Sequence, residues 1–260
     1  MATITISYKG QTFVYESEEN GKNTLIHRGK IEPFDKKNKI VTVGNSKIYI
    51  PNYNEDYIQS AIFNTRIYFE QSFLDELSAY LPKKPTIIDI GANIGNHTLY
   101  WANENNAKKI YAFEPIPSTF KILKKNVKIN NLQERVKLYN IGLSEETAKG
   151  HIVFFDSKNI GATRLEVSDN EAKNTIPLTA LDSIKFDDKK IDLIKIDVEC
   201  MDYLVLTGAI KTIQKYKPII MIESFSGEFN ISSRILKALN YRIEKEFNSS
   251  EYLFVPINKK

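Results

Sequence analysis

Acidic residues stand where short apolar runs of this chain end. Asp89 lies within Ile87-Ile88-Asp89-Ile90 and precedes Gly91-Ala92-Asn93-Ile94-Gly95, and Glu114-Pro115 follows Ala112-Phe113. A strand that runs into a glycine-bearing turn lets backbone come close to a ligand at the carboxyl edge of a sheet. The dinucleotide fingerprint is Gly-x-Gly-x-x-Gly, but Asn93 stands where its second glycine would be. The loop therefore lacks the glycine that admits a pyrophosphate, and it carries an acid. An anion is a poor guest there, and a cationic, amino-acid-bearing ligand is a better one. Glu114, at the tip of the next strand, stands where a ribose diol is gripped. Asp89, Gly91 and Glu114 together describe a nucleoside without a large anionic tail, and S-adenosylmethionine fits that description. Taken singly, Asp89 also reads as a turn or helix-capping acid and Glu114 as a solvated loop acid.

Transfer of a methyl group from a sulfonium to an oxygen is one in-line displacement, so positioning supplies much of the catalysis. A hydroxyl is a weak nucleophile at neutral pH and gains from a base or a metal that removes its proton. Lys195-Ile-Asp197-Val-Glu199 is placed to supply a base. A period of two puts Ile194, Ile196 and Val198 on one face and Lys195, Asp197 and Glu199 on the other. Central parallel strands are normally apolar on both faces, and a buried Lys195 needs a carboxylate partner. Two neighbouring carboxylates repel, which raises one pKa toward the working range of a base. The bland reading is that Asp197 and Glu199 only open the next helix, where acids favour the first turn. Glu223 closes the fifth strand in the same layer and is either a further site acid or a loop acid. His97, just after the glycine loop, is either a substrate-side base or a packed residue of the first helical turn. His27 and His151 lie outside any such pattern, so no histidine-built metal site is expected. Mg²⁺ held by the oxygens of Asp197, Glu199 and Glu223 is a secondary reading.

These residues need a scaffold at the strand ends. Apolar runs at 86–90, 109–113, 135–138, 193–197, 218–223, 241–245 and 252–256 read as strands. Phe120, Leu123 and Val127 keep a helical spacing between two of them, and so do Met201, Leu204, Val205, Gly208 and Thr212. Strand alternating with helix predicts a parallel sheet covered on both faces. The polar stretch 246–251 is short enough to demand a hairpin, so one of the last two strands runs antiparallel. Upstream, residues 3–51 read as two or three short strands with turn signals at Glu19-Asn20-Gly21 and Val43-Gly44-Asn45. Ile58, Ile62, Phe69, Phe73 and Leu77 then predict a lead-in helix stopped by Pro82. The expected organisation is a β-rich extension with its helix over 1–82 and a main domain over 83–260.

The chain has 260 residues and a net charge of +4, too mild to demand a nucleic-acid partner. Its single cysteine, Cys200, excludes an internal disulfide and reads as a packed residue rather than a nucleophile. There is no signal-peptide pattern and no apolar run near the roughly 20 residues that cross a bilayer, so the expected location is the cytoplasm, without membrane insertion. Lys121, Lys124, Lys125 and Lys128 read as a solvated helix face, and Tyr49, Tyr53, Tyr57 and Tyr68 as packing. Oligomeric state is not readable. The acceptor pocket is expected between the N-terminal strands, the helix before Pro82 and segment 156–174, whose Gly161-Ala162-Thr163 reads as a mobile loop.

Several short motifs, in order, resemble the FkbM-type methyltransferases over roughly residues 86–223. They are Asp89-Ile-Gly-Ala-Asn-Ile-Gly95, Phe113-Glu114-Pro115, Asn126 with Asn130-Asn131, Asn140-Ile-Gly-Leu-Ser144, Leu178-Thr179-Ala180-Leu181-Asp182, Lys195-Ile-Asp-Val-Glu199, Val205-Leu-Thr-Gly-Ala209 and Ile222-Glu223. The family's usual Asp-Val-Glu-Gly run has Cys200 in place of the glycine. The resemblance implies a Rossmann-like class I methyltransferase of the α/β class, with a mostly parallel seven-stranded sheet and S-adenosylmethionine as methyl donor. It implies O-methylation of a small molecule, a sugar of a bacterial glycan first and a polyketide-like natural product as the alternative. It further implies Asp89, Gly91, Asn93 and Gly95 on the methionine side, Glu114 on the ribose, and Asn140 and Ile141 against the adenine. Three other readings compete. A nucleic-acid methyltransferase would show an Asn/Asp-Pro-Pro-aromatic run or a Pro-Cys nucleophile, and neither is present. A silent cofactor-binding scaffold need not keep the acids, and a nicotinamide enzyme needs the missing Gly-x-Gly.

Overall fold

The computed structural model of the chain describes residues 2–8, 11–17 and 23–29 as backbone, and residues 33–167, 175–247 and 250–257 with their side chains apart from Ser226 and Glu228. The expected turn at Glu19-Asn20-Gly21 and the last part of the expected pocket segment, 168–174, lie outside the described residues. In chain order, β1 (Ala2–Tyr8), β2 (Gln11–Ser17) and β3 (Asn23–Gly29) form an antiparallel sheet. β4 (Ile40–Val43) and β5 (Ser46–Tyr49) form a separate hairpin. Segment 3–51 therefore holds five strands, not two or three. Each is short, and the sequence gives few turn signals to divide them.

The lead-in helix is two helices, α1 (Tyr57–Thr65) and α2 (Gln71–Ser78). Arg66 (φ 59°) and Glu70 (φ 60°) both adopt the left-handed region, which breaks the helix at each end of the linker. The apolar period hides this break because Ile62, Phe73 and Leu77, on both sides of it, all reach the same core.

The main sheet comprises β6 (Thr86–Ile90), β7 (Lys109–Phe113), β8 (Val136–Tyr139), β13 (Leu193–Asp197), β14 (Ile219–Glu223), β15 (Tyr241–Glu246) and β16 (Glu251–Pro256). Their spatial order is β15-β16-β14-β13-β6-β7-β8. The inner strands pair in parallel, whereas β16 is antiparallel to both β14 and β15. Helices α3 (Asn96–Asn103) and α4 (Pro117–Ile129) bury apolar residues in one core, with Ile87, Ile110 and Leu193. Helices α5 (Asp202–Thr207), α6 (Ile210–Tyr216) and α7 (Ser226–Ala238) contribute to the other, with Ile88, Ile194 and Ile220. Successive strand residues thus serve opposite faces, as a parallel sheet covered on both sides requires. Between β8 and β13 the chain forms a second, small sheet from β9 (Gly142–Leu143), β10 (Ala148–Phe154), β11 (Arg164–Val167) and β12 (Ile176–Thr179), in the order β11-β10-β12-β9. The hairpin β4–β5 is bonded to α4, where Asn126 and Asn130 take the backbone N–H groups of Tyr49 (2.6 Å) and Lys47 (2.8 Å).

Candidate active site

From β6 the chain proceeds outward to β7 and β8 on one side, and later returns to β13 and β14 on the other. That reversal creates a crevice outside the carboxyl ends of β6 and β13, the place where open α/β sheets bind ligands. A cavity of about 250 Å³ lies there. Gly91, Asn93 and Glu114 line one part of it, Asp197 and Glu223 another, and residues 159–163 a third.

The glycine loop is shaped by its neighbours. Gly91 has φ 77°, and a Cβ there would sit 1.8 Å from the Asp197 carbonyl oxygen, so only glycine lets the loop cross β13. The N–H groups of Gly91 and Ala92 both donate to the Phe113 carbonyl, at 3.1 and 2.9 Å. Asn93, at φ 50°, donates its backbone N–H to the Glu114 carboxylate at 2.9 Å, and Ile116 N–H reaches the other Glu114 oxygen at 2.8 Å. Burial pushes the Glu114 carboxyl up to about 7, against the lowering effect of these two donors. The Asn93 side-chain oxygen is buried without a hydrogen-bond partner.

Three residues expected on the cofactor are not among those that line the cavity. Asp89 is fully buried beneath the loop, where it accepts the Thr98 hydroxyl and faces the Lys195 ammonium at 3.4 Å. Gly95 (φ 90°) caps α3, and a Cβ on it would meet Leu123 of α4 at 2.6 Å. The Asn140 amide donates to the carbonyls of Glu114 (2.9 Å) and Pro115 (3.1 Å), so it shapes the Glu-Pro turn. Ile141 does line the cavity, beside Leu143, Leu178 and Met201. For Asp89 the reason is geometric: β6 is covered on both faces, and the alternation of its side chains turns Asp89 into the layer beneath the loop.

Lys195 organises the acids at the tip of β13. It is buried, and its ammonium donates to the Gly91 carbonyl at 2.9 Å and pairs with Asp197 at 2.9 Å. Burial lowers its pKa, but Asp197 and Asp89 outweigh that and raise it. Glu223 is opposite Asp197 in the parallel register, and the two carboxyl groups are hydrogen-bonded. Burial first, then the charge of Asp197, pushes Glu223 up to about 10. Burial would also raise Asp197, but Lys195 and the bond from Glu223 hold it below the usual carboxylate range. Glu223 is thus the member of the pair that favours the proton. Asp197 keeps 34% of its side-chain surface open.

The strand alternation that would set Glu199 beside Asp197 does not extend to it. β13 ends at Asp197, and the chain then turns through Cys200, at φ 64°. The alternation of strand side chains stops with the strand, and Glu199 pairs with Arg164 of β11 at 3.7 Å while still lining the cavity. Cys200 adopts the left-handed conformation that glycine takes most readily. Among the described residues, no group of three His, Cys, Asp or Glu side chains is arranged to hold a metal ion.

His97 both packs and faces the cavity. Its ring lies near Phe73 and Trp101, and Nε2 is 3.2 Å from the Glu70 carboxylate. Glu70 had no signal in the sequence, because nothing local predicts that α2 begins next to α3. Asn96 brings the two segments together by accepting the Phe69 N–H (3.0 Å) and donating to the Phe69 carbonyl (2.9 Å). Tyr57, Ile58, Phe69 and Glu70 thereby join the glycine loop in lining the cavity.

A model of the methyltransferase FkbM domain family matches residues 89–245. Over 77 residues the chain is 38% identical to methyltransferase sdnD of Sordaria araneosa, covering 30% of each protein. Over 174 residues it is 28% identical to Methyltransferase 1 of Beauveria bassiana strain ARSEF 2860, covering 59% of this chain and 66% of that protein. The chain therefore spans less than two thirds of either of these curated relatives. A solved FkbM methyltransferase from Methylobacillus flagellatus KT superposes with a TM-score of 0.47 at 20% identity, over 66% of this chain and 44% of that one.

Proposed function

The chain belongs to the methyltransferase FkbM domain family, and on that premise we propose that it transfers a methyl group from S-adenosylmethionine to a hydroxyl oxygen of a small molecule, a sugar of a bacterial glycan first. The observation that carries this reading is a juxtaposition. A slot ending in Glu114 and a carboxylate pair, Asp197 and Glu223, open into one crevice at the tips of neighbouring strands.

The residues present fit the cofactor. Ile141, Leu143, Leu178 and Met201 offer an apolar slot for a flat base. Glu114 is oriented by two backbone N–H groups to accept from a ribose diol. The unpartnered Asn93 oxygen suits a hydroxyl or ammonium donor. When bound, the cofactor supplies an electrophilic methyl on a sulfonium. The chain's own part is to hold the acceptor in line with it and to manage one proton. Asp197, beside Lys195, would accept the hydrogen bond of the acceptor hydroxyl and take its proton as the oxygen gains the methyl and the C–S bond of the sulfonium breaks. Glu223 and His97 flank that point, and Glu199 with Arg164 bounds it. Asp89 and Asn140 support this arrangement from behind, through Lys195 and the Glu-Pro turn.

Tyr57 and Phe69 meet edge to face at 5.7 Å in the cavity lining, a surface suited to the C–H face of a sugar ring. Ile58 in the same lining favours the alternative acceptor, a polyketide-like natural product. Titration calorimetry with S-adenosylmethionine and its demethylated product tests the first half of the reading. A mass-spectrometric screen of glycosides and polyketides for a gain of one methyl tests the second. Absence of cofactor binding refutes the proposal. Binding without turnover of any acceptor favours a silent scaffold.

A further inference from the structure

The part of the chain before the family match also contacts the cavity through its roof. This roof is segment 156–163, of which residues 159–163 line the cavity and Ile160–Ala162 form a short 3₁₀ turn. Asp56, almost fully buried, serves two masters at once. One carboxylate oxygen caps α1 by accepting the Gln59 N–H at 3.0 Å, and the other accepts the Ile160 N–H of the roof at 3.0 Å. Next to it, Tyr57 N–H donates to the Lys158 carbonyl at 2.6 Å. At the far end, Arg164 pairs with Glu199. Between these fastenings Gly161 lies against the glycine loop and α1. A Cβ on it would be 3.1 Å from the Asn93 amide and 3.2 Å from Ile58.

The cavity measures about 250 Å³, and residues 159–163 form part of its lining. A ligand that fills the cavity therefore meets these residues directly. The backbone of the roof is held to the wall by two hydrogen bonds, both made to the first residues of α1.

We propose that residues 156–163 are a strap that opens for ligand exchange and that Asp56 is its latch, a positioning residue contributed by the segment ahead of the family domain. The inference rests on the cofactor reading above, but it makes a separate claim about kinetics. Latch and cap can be separated chemically. In Asp56→Asn, the amide oxygen still caps Gln59, since Asn caps as well as Asp, while the NH₂ group faces the Ile160 N–H donor to donor. Tyr57→Pro removes the N–H that holds Lys158. Proline is favoured at the first helical position, and Asp56 before it is already extended, at φ −80° and ψ 132°. Tyr57→Ala keeps the N–H and controls for the lost ring.

The experiment is stopped-flow binding of S-adenosylhomocysteine, with hydrogen exchange at 156–163 and thermal melting alongside. Asp56→Asn and Tyr57→Pro should each speed both association and dissociation by about tenfold or more, the factor expected for losing a strong hydrogen bond from the closed state. They should speed exchange in the strap while the melting temperature stays within a few degrees, and Tyr57→Pro should exceed Tyr57→Ala in both rates and in exchange, since only the proline removes the N–H. Faster dissociation with unchanged association would make the contact a wall and overturn the latch, as would unchanged rates in both variants. Failure of the unaltered protein to bind at all would refute the cofactor reading instead. Strap exchange would then decide the latch, with equal protection in Asp56→Asn and the parent overturning it.

Discussion

Glu114 ties cofactor affinity to pH in a way that can be measured. Its carboxyl is pushed up to about 7 by burial, and a ribose diol needs the ionised form as acceptor. With a pKa near 7, roughly a tenth of the protein has Glu114 ionised at pH 6 and roughly nine tenths at pH 8. Affinity for S-adenosylhomocysteine should therefore rise about tenfold between these values, about 1.4 kcal/mol. Charges facing Glu114 are those of Lys195, which favours ionisation, and Asp197, which opposes it. The usual value of 4.5 lies below the folded one, so the fold prefers the protonated form. Stability without ligand should fall as pH rises from about 4.5 to 7, by about 3 kcal/mol from this group. Ligand binding and folding thus respond to pH with opposite signs. Calorimetry in buffers of different ionisation enthalpy should detect nearly one proton released per cofactor at pH 6 and almost none at pH 8. Glu114→Gln should bind more weakly and lose the pH slope. A flat affinity in the parent protein, or a slope that survives in Glu114→Gln, would refute this reasoning.

Three further outcomes are expected. Lys195→Met keeps the volume but leaves Asp89 buried without its cation; it should lose about 3–5 kcal/mol in a denaturant titration, and a loss under about 1 kcal/mol would count against the ion cluster as described. Cys200→Gly should keep most of the activity and raise stability by up to about 1 kcal/mol, because the left-handed φ of 64° suits glycine, whereas a β-branched Cys200→Val should destabilise; the denaturant midpoints must fall in that order. Asp197→Asn should lower turnover of whichever acceptor the screen finds by about 10²–10⁴-fold with cofactor affinity nearly unchanged, and Glu199→Gln by much less, since Glu199 turns toward Arg164; equal effects would put both acids on the acceptor.

Local patterns in the sequence reach as far as neighbouring residues reach. Runs of Ile, Leu and Phe at fixed spacing mark β6, β7, β13 and β14, because a covered parallel strand must be apolar on both faces whatever its partners are. The glycine loop and Glu114 are legible for the same reason, since a strand, a turn and an acid follow one another along the chain. The small sheet β9–β12 has no such signature. β9, β11 and β12 have two to four residues each, and β10 leaves Ile152, Val153 and Phe154 exposed, so no apolar run marks them. The break between α1 and α2 is hidden because both helices keep one apolar period into one core. The partners of the acids were decided only by tertiary structure. Asp89 turns under the loop to Lys195, Asp197 meets Glu223 instead of Glu199, and His97 meets Glu70 from a segment ahead of the family domain. A carboxylate's protonation and role depend on which charges lie within a few ångströms of it, and strand register and helix docking, not chain order, set those distances.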